Sequence, residues 1–206
     1  NTPLTLLDGR RLYYSFLAGA QRIFESQNLL NKINVFPVAD ADTGTNLAST
    51  MRSIVESPIP TNNIKATADA LAEAALIGAR GNSGIIFAQF LFGFSNEIGN
   101  EIKLDISTFA YGIKNAVHYA YEAIASPVEG TILSVMREWA DYVYLIKDQV
   151  DDFLRLMVEA FEKALEALDQ TALQMMKLRS SNTVDAGAQA FVLFLEGMIE
   201  HMRCGI

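Results

Sequence analysis

Two carboxylates separated by a single residue, Asp40 and Asp42, stand in the segment Asn34-Val-Phe-Pro-Val-Ala-Asp-Ala-Asp-Thr-Gly-Thr-Asn46, directly before a stretch of apolar periodicity. Hard cations take oxygen ligands, and Mg²⁺ characteristically uses one or two carboxylates together with phosphate oxygens and water. The residues that follow add hydroxyls, an amide and the unpartnered backbone N–H groups of a helix start, all of which suit phosphate. Magnesium–nucleotide binding is therefore the first chemistry this spacing suggests. An Asp before a helix is also an ordinary N-cap, but two like charges this close repel one another without a counterion. An EF-hand needs Gly at its sixth position and Glu at its twelfth, where this chain has Thr45 and Met51, so that reading fails.

Three further interruptions have a related make-up: Gly78-Ala-Arg-Gly-Asn-Ser-Gly84, Ser126-Pro-Val-Glu-Gly-Thr131 and Ser180-Ser-Asn-Thr-Val-Asp-Ala-Gly187. Each places Gly, Ser, Thr or Asn at a helix start, where up to four N–H groups lack partners and the helix dipole is positive. In an antiparallel array such starts share one end, so several of them can converge on one polyphosphate. Gly78 also reads as a helix C-cap. The loop behind it is neither a Walker loop, since no Lys-Ser/Thr follows its last glycine, nor a dinucleotide fingerprint, since no strand precedes it. Asn82 and Ser83 offer an amide and a hydroxyl, and Gly81 and Gly84 permit close backbone approach. Asp185 is a plain N-cap by its local sequence, and Arg179 answers either phosphate or solvent. His118, His201 and Cys204 carry no pattern that singles them out.

The elements that must position these loops are helical almost throughout. Apolar residues recur at three- and four-residue steps from Leu6 to Ser26, Thr45 to Val55, Ile106 to Ala125, Val150 to Leu168 and Gly187 to Met202, which is the pattern of an amphipathic helix. Ala66 to Ile77 is alanine-rich, Ser83 to Phe94 is apolar on all sides as a buried helix is, and Thr131 to Leu145 follows the break at Pro127 and Gly130. Asp105 is a candidate cap for the stretch from Ile106. No six-residue stretch alternates cleanly and no Asn-Gly or Asp-Gly turn occurs. The expectation is an all-α domain of about eight helices, without repeats or linkers.

Composition narrows the function. With 206 residues, half of them apolar and 19% charged, the chain suits one globular domain. A formal charge of −8 argues against nucleic acid as the main partner. One cysteine and two histidines exclude a disulfide framework and a Cys/His zinc site, and make a reducing cytoplasm the expected compartment. The longest apolar run, Gly84 to Phe94, falls short of the roughly 18 residues of a membrane span, and no signal pattern occurs at the N-terminus. Because it begins at Asn1 without Met and ends at Ile206 without a closing motif, residues 1–206 are expected to be a single domain excised from a longer protein.

Taken together the four interruptions resemble, in order, the motif blocks of the nucleotide-binding L domain of dihydroxyacetone kinases, and most closely the A component of bacterial fatty acid kinase. The family segment reads approximately Asn-Val-Phe-Pro-Val-Pro-Asp-Gly-Asp-Thr-Gly-Thr-Asn-Met, against Asn34 to Leu47 here, and the other blocks match Gly78 to Gly84, Pro127 to Leu133 and Val184 to Gly187. The resemblance implies an antiparallel eight-helix barrel with an ATP/ADP site at one open end and two Mg²⁺ ions. It implies Asp40 and Asp42 as metal ligands and catalytic groups, with Asn34 beside them. Thr43, Thr45 and Asn46 then lie against the nucleotide, Gly81, Asn82 and Ser83 against phosphate, and Thr131, Ile132, Arg179 and Asp185 around the remainder. It further implies a separate acceptor-bearing partner, which in fatty acid kinases is an acyl-binding protein of the DegV type, with acyl phosphate as product. A dihydroxyacetone-type kinase subunit and a silent nucleotide- or metal-binding module are the alternatives, and a homodimer is compatible with either. Ala39 replaces the usual Pro, Ala41 the usual Gly and Ala188 a second Gly. If position 41 needs a positive φ, Ala there costs about 1 kcal/mol.

Overall fold

The computed structural model describes residues 2–56, 61–179 and 182–204, excluding the side chains at 178 and 179. Among these residues the chain forms nine helices: α1 (Gly9–Glu25), α2 (Gln27–Ile33), α3 (Thr43–Val55), α4 (Ile64–Gly78), α5 (Gly81–Glu97), α6 (Ile106–Glu122), α7 (Ile132–Ile146), α8 (Phe153–Arg179) and α9 (Ala186–Arg203). Each of the eight stretches expected from periodicity is a helix. The all-α reading holds, and none of the described helices is long and apolar enough to cross a membrane.

Local chemistry sets the ends. Asp8 rather than Leu6 marks the start of α1, its carboxylate accepting from the Arg11 N–H at 2.9 Å, which satisfies one of the donors a helix start leaves open. Asp105 caps α6 in the same way through the Thr108 N–H at 2.8 Å, and Asn63 caps α4 through Ala66. Two features depart from the periodic reading. α8 continues past Leu168 to Arg179, and the seven-residue α2, with only Leu30 buried, stands between α1 and the Asp loop.

Going round the barrel, α4, α5, α6, α7, α8 and α9 pack each against the next, and α1 closes the ring by touching both α9 and α4. α3 lies against α1, α4, α5 and α9, and α2 packs on α3. The core is knitted by edge-on aromatic pairs. Phe16, Phe87 and Phe194, from α1, α5 and α9, form a triangle with centroids 4.8–6.1 Å apart. Trp139 meets Phe191, and Phe109 meets both Phe94 and Phe153. Burying each such ring is worth about 1.5–3 kcal/mol, with about 0.5–1.5 kcal/mol more for an edge-to-face pair. These contacts fix how the helices lie, and thereby where their ends meet.

At one end backbone bonds join the connecting segments. Leu7 and Leu104 exchange two hydrogen bonds, the Gly9 N–H donates to Asn62 O, the Ile64 N–H to Ile102 O and the Phe153 N–H to Leu4 O. The starts of α3, α5, α7 and α9 gather at the other end.

Candidate nucleotide and metal site

The convergence of these four starts is visible in how tightly they touch. A β-carbon added at Gly81, the first residue of α5, would lie 2.7 Å from Asn46 Nδ2 in the first turn of α3. One added at Gly187 in α9 would lie 2.6 Å from Ser83 Oγ of α5 and 3.3 Å from Ile132 Cβ of α7. Gly81 also has φ +66°, a conformation that L side chains rarely adopt. Thus Asn46, Gly81, Ser83, Ile132 and Asp185, expected around one ligand, do come together.

Hydrogen bonding divides the four starts into two kinds. The starts of α7 and α9 are closed from within. Asp185, 7% exposed, accepts on a single oxygen, Oδ2, from the Ile132 N–H at 3.1 Å and the Ala188 N–H at 2.9 Å, so it caps its own helix and also ties it to α7. Its backbone N–H donates to Thr171 Oγ of α8 at 3.0 Å. Burial pushes the Asp185 carboxyl up to about 6, while the N–H donors of Ala188, Ile132 and Gly187 pull it down. Thr131 caps α7, donating to Val128 O at 2.6 Å and accepting from the Leu133 N–H.

The starts of α3 and α5 are open by comparison. Asp42 occupies the N-cap position of α3 but its side chain makes no cap bond, and Arg80 makes none for α5. The plain-cap reading of Asp-x-Asp is therefore not what this loop does. Asp42 and Asp40 are both exposed, as are Gly81 and Asn82. Between the carboxylates Ala41 has φ +56°, the only non-glycine residue in the left-handed region among the described residues. The spacer that the resemblance expects to be Gly does sit where Gly is favoured.

Asn34 is buried beneath this loop. Its Nδ2 donates to Asp40 Oδ1 at 2.6 Å and to Val38 O at 3.1 Å, and its Oδ1 accepts from the Thr43 hydroxyl. It braces Asp40 against the first residue of α3. Thr45 faces α2 in this arrangement: its hydroxyl accepts from Asn31 Nδ2 at 2.9 Å and Gln27 Nε2 at 3.3 Å, and its N–H donates to Asn31 Oδ1 at 3.0 Å. The Arg179 side chain lies outside the described residues.

Sequence reasoning passed over the residues that hold these loops. Thr50, fully buried, accepts from the Arg80 N–H at 3.2 Å and donates to Asn46 O at 2.9 Å, linking the 78–84 loop to α3. Glu129 accepts from Ser134 Oγ at 2.6 Å and Tyr121 OH at 2.9 Å, and pairs with Arg137 at 2.8 Å, which braces the 126–131 loop. Asn31 on α2 has no local signal at all.

A divalent cation fits the donor set. Among the described residues no cluster of three His, Cys, Asp or Glu stands close enough to hold a metal by itself. Two exposed carboxylates beside open helix starts suit an ion completed by phosphate oxygens and water, which is how Mg²⁺ is commonly bound.

Comparison with known proteins bears on the family and the fold. The chain is 34% identical over 199 residues to protein YloV of Bacillus subtilis (strain 168), covering 96% of this chain and 36% of the relative. It is 34% identical over 203 residues to uncharacterized protein SERP0792 of Staphylococcus epidermidis, covering 97% and 37%. The chain thus spans little more than a third of the length of these relatives. Among solved structures it is similar to the dihydroxyacetone kinase from C. freundii in complex with AMP-PNP and Mg²⁺, with a TM-score of 0.70 over 97% of this chain and 35% of that one. At 17% identity that likeness speaks for the fold. The sequence model of the DAK2 domain matches residues 37–200, from the Asp loop nearly to the end of α9. That span takes in all four helix starts at the open end, and the chain belongs to the DAK2 domain family.

Proposed function

We propose that this domain binds Mg-ATP and transfers its γ-phosphoryl group to an acceptor presented by a partner protein or domain. A fatty acid carboxylate on an acyl-binding DegV-type protein is the acceptor that the sequence resemblance favours, and acyl phosphate the product. The observation that carries the reading is the meeting of the two open helix starts, α3 and α5, at Asn46 and Gly81 beside the Asp40–Asp42 pair. Asp40 and Asp42 would hold the cation, which supplies charge neutralisation at the β- and γ-phosphates. The N–H groups of Gly81, Asn82 and Ser83 would hold phosphate oxygens, and Asn34 and Thr43 keep the loop in place. A carboxylate oxygen attacks the γ-phosphorus, the bond to the β–γ bridging oxygen breaks and ADP leaves. An ionised acceptor needs no general base, and neither histidine belongs to these loops: His118 is exposed on α6 and His201 lies in the last turn of α9.

Calorimetry tests the binding step. ATP is expected to bind only with Mg²⁺ present, and Asp42→Ala to weaken it at least 100-fold without lowering the melting temperature, because the Asp42 side chain caps nothing. Absence of binding by the unaltered protein, or unchanged affinity in Asp42→Ala, would overturn the proposal.

A second reading, a nucleotide-binding module without turnover, is favoured by Ala41 at φ +56°. The two are separated by assaying the full-length protein with a fatty-acid-loaded partner: acyl phosphate formation eliminates the silent module. Ala41→Gly is expected to stabilise the fold by about 1 kcal/mol, read by urea denaturation, and to restore turnover if the unaltered protein has none.

A further inference from the structure

At the end of the barrel away from the Asp loop lies a groove of about 670 Å³, within the roughly 300–1,000 Å³ of small-molecule sites. It is formed by residues 2–7, the beginning of α1, Lys103, the start of α8 and the last turn of α9. Nothing in the nucleotide reading uses it.

Its charge is opposite to that of the molecule. The chain carries a formal charge of −8, yet Arg11, Lys103 and Arg203 line this one groove together with His201. None of the three makes an ion pair among the described residues. The acid in the lining is Asp152, whose Oδ1 already accepts from the N–H groups of Leu4 and Leu154, each at 3.1 Å. His201 and Arg203 stand in the last turn of α9, where the helix dipole favours cations. That explanation does not reach Arg11. It lies in the first turn of α1, where the dipole disfavours positive charge, and Lys103 belongs to a loop. His201 Nε2 is shut off from solvent without a hydrogen-bond partner. The lining also holds the hydroxyls of Thr2, Thr5 and Ser15, and its apolar part is a patch in which Leu4, Leu154 and Met202 are half-buried and Leu6 is 45% exposed.

Unpaired cations from three separate elements, with hydroxyls among them and a patch of leucine and methionine side chains beside them, match a ligand with an anionic head and a short apolar body. We infer that this groove binds a small amphiphilic anion, its carboxylate or phosphate head held by Arg11, Lys103 and Arg203 and its alkyl body lying against Leu4, Leu6 and Met202. The head-group chemistry is shared by fatty carboxylates and alkyl phosphates, and the probes separate them.

Titration of the protein with octanoate, octyl phosphate and inorganic phosphate tests the inference, with amide NMR shifts locating the site. Saturable binding of at least one alkyl anion is expected, shifting residues 4–7 and His201, weakened at least tenfold in the Arg11→Gln/Lys103→Gln variant and retained in Asp42→Ala. Octanoate against octyl phosphate identifies the head group. Arg11 and Lys103 are exposed and unpaired, so the variant is expected to melt with the unaltered protein. Four results would each overturn the inference: no alkyl anion binding; affinity unchanged in the double variant; loss of binding in Asp42→Ala; or inorganic phosphate binding as tightly as octyl phosphate.

Discussion

Asp185 shows how much one oxygen can do. The bonds from the Ile132 and Ala188 N–H groups both fall on Oδ2, so an amide oxygen can replace them, and Asp185→Asn is expected to keep the cross-link between α7 and α9. Asp185→Ala leaves two buried N–H groups without partners and is expected to cost about 2–4 kcal/mol in urea denaturation. The carboxyl also imposes a pH dependence. Its folded value, about 6, lies above the roughly 3.9 of an unfolded aspartate, so between these values the unfolded chain binds fewer protons. Its contribution to stability is complete below about pH 4 and is lost as pH rises through 6. The difference in unfolding free energy between the unaltered protein and Asp185→Asn, followed from pH 4 to 7, is expected to decline across that window and then level off. A flat difference would contradict the burial argument.

At the scale of elements, the site depends on how loops are fastened to helices. Thr50 is the link between α3 and the 78–84 loop. Thr50→Val keeps the volume but removes the acceptor of the Arg80 N–H, at an expected cost of about 1–3 kcal/mol. Because α5 begins there, Mg-ATP affinity is expected to fall with it. Thr50→Ser, which keeps the hydroxyl, is expected to restore both, and denaturation together with calorimetry checks the pair. The same scale explains what the chain revealed before its fold was known. Apolar stripes and glycine breaks located eight helices because long periodic segments bury one face wherever they pack. α2 escaped notice because seven residues with one buried leucine carry no periodic signal. The last eleven residues of α8 escaped because the stripe continues through Thr171 to Met175, and a polar residue on the buried face hides the period. Among the site residues, Asp42 and Asp185 share a residue type and an N-cap position. The motif blocks separate them, Asp42 as a metal ligand and Asp185 as a neighbour of the nucleotide, but only tertiary neighbours make Asp185 a buried cross-link to Ile132 on α7, which nothing in the local sequence announces.

Across the whole molecule the two ends of the barrel are held by different kinds of bond. The far end is joined largely backbone to backbone, through Leu7 with Leu104, Gly9 with Asn62, Ile64 with Ile102 and Phe153 with Leu4. The open end is joined through side chains: Asn31 to Thr45, Asn34 to Asp40, Thr50 to Arg80 and Asp185 to Ile132. Main-chain bonds survive a change of side chain; side-chain bonds do not. The barrel is therefore split in its capacity to vary. Its base can drift in sequence while keeping its form, whereas its mouth is held to particular residues by the bonds that shape it, before any ligand imposes a demand of its own.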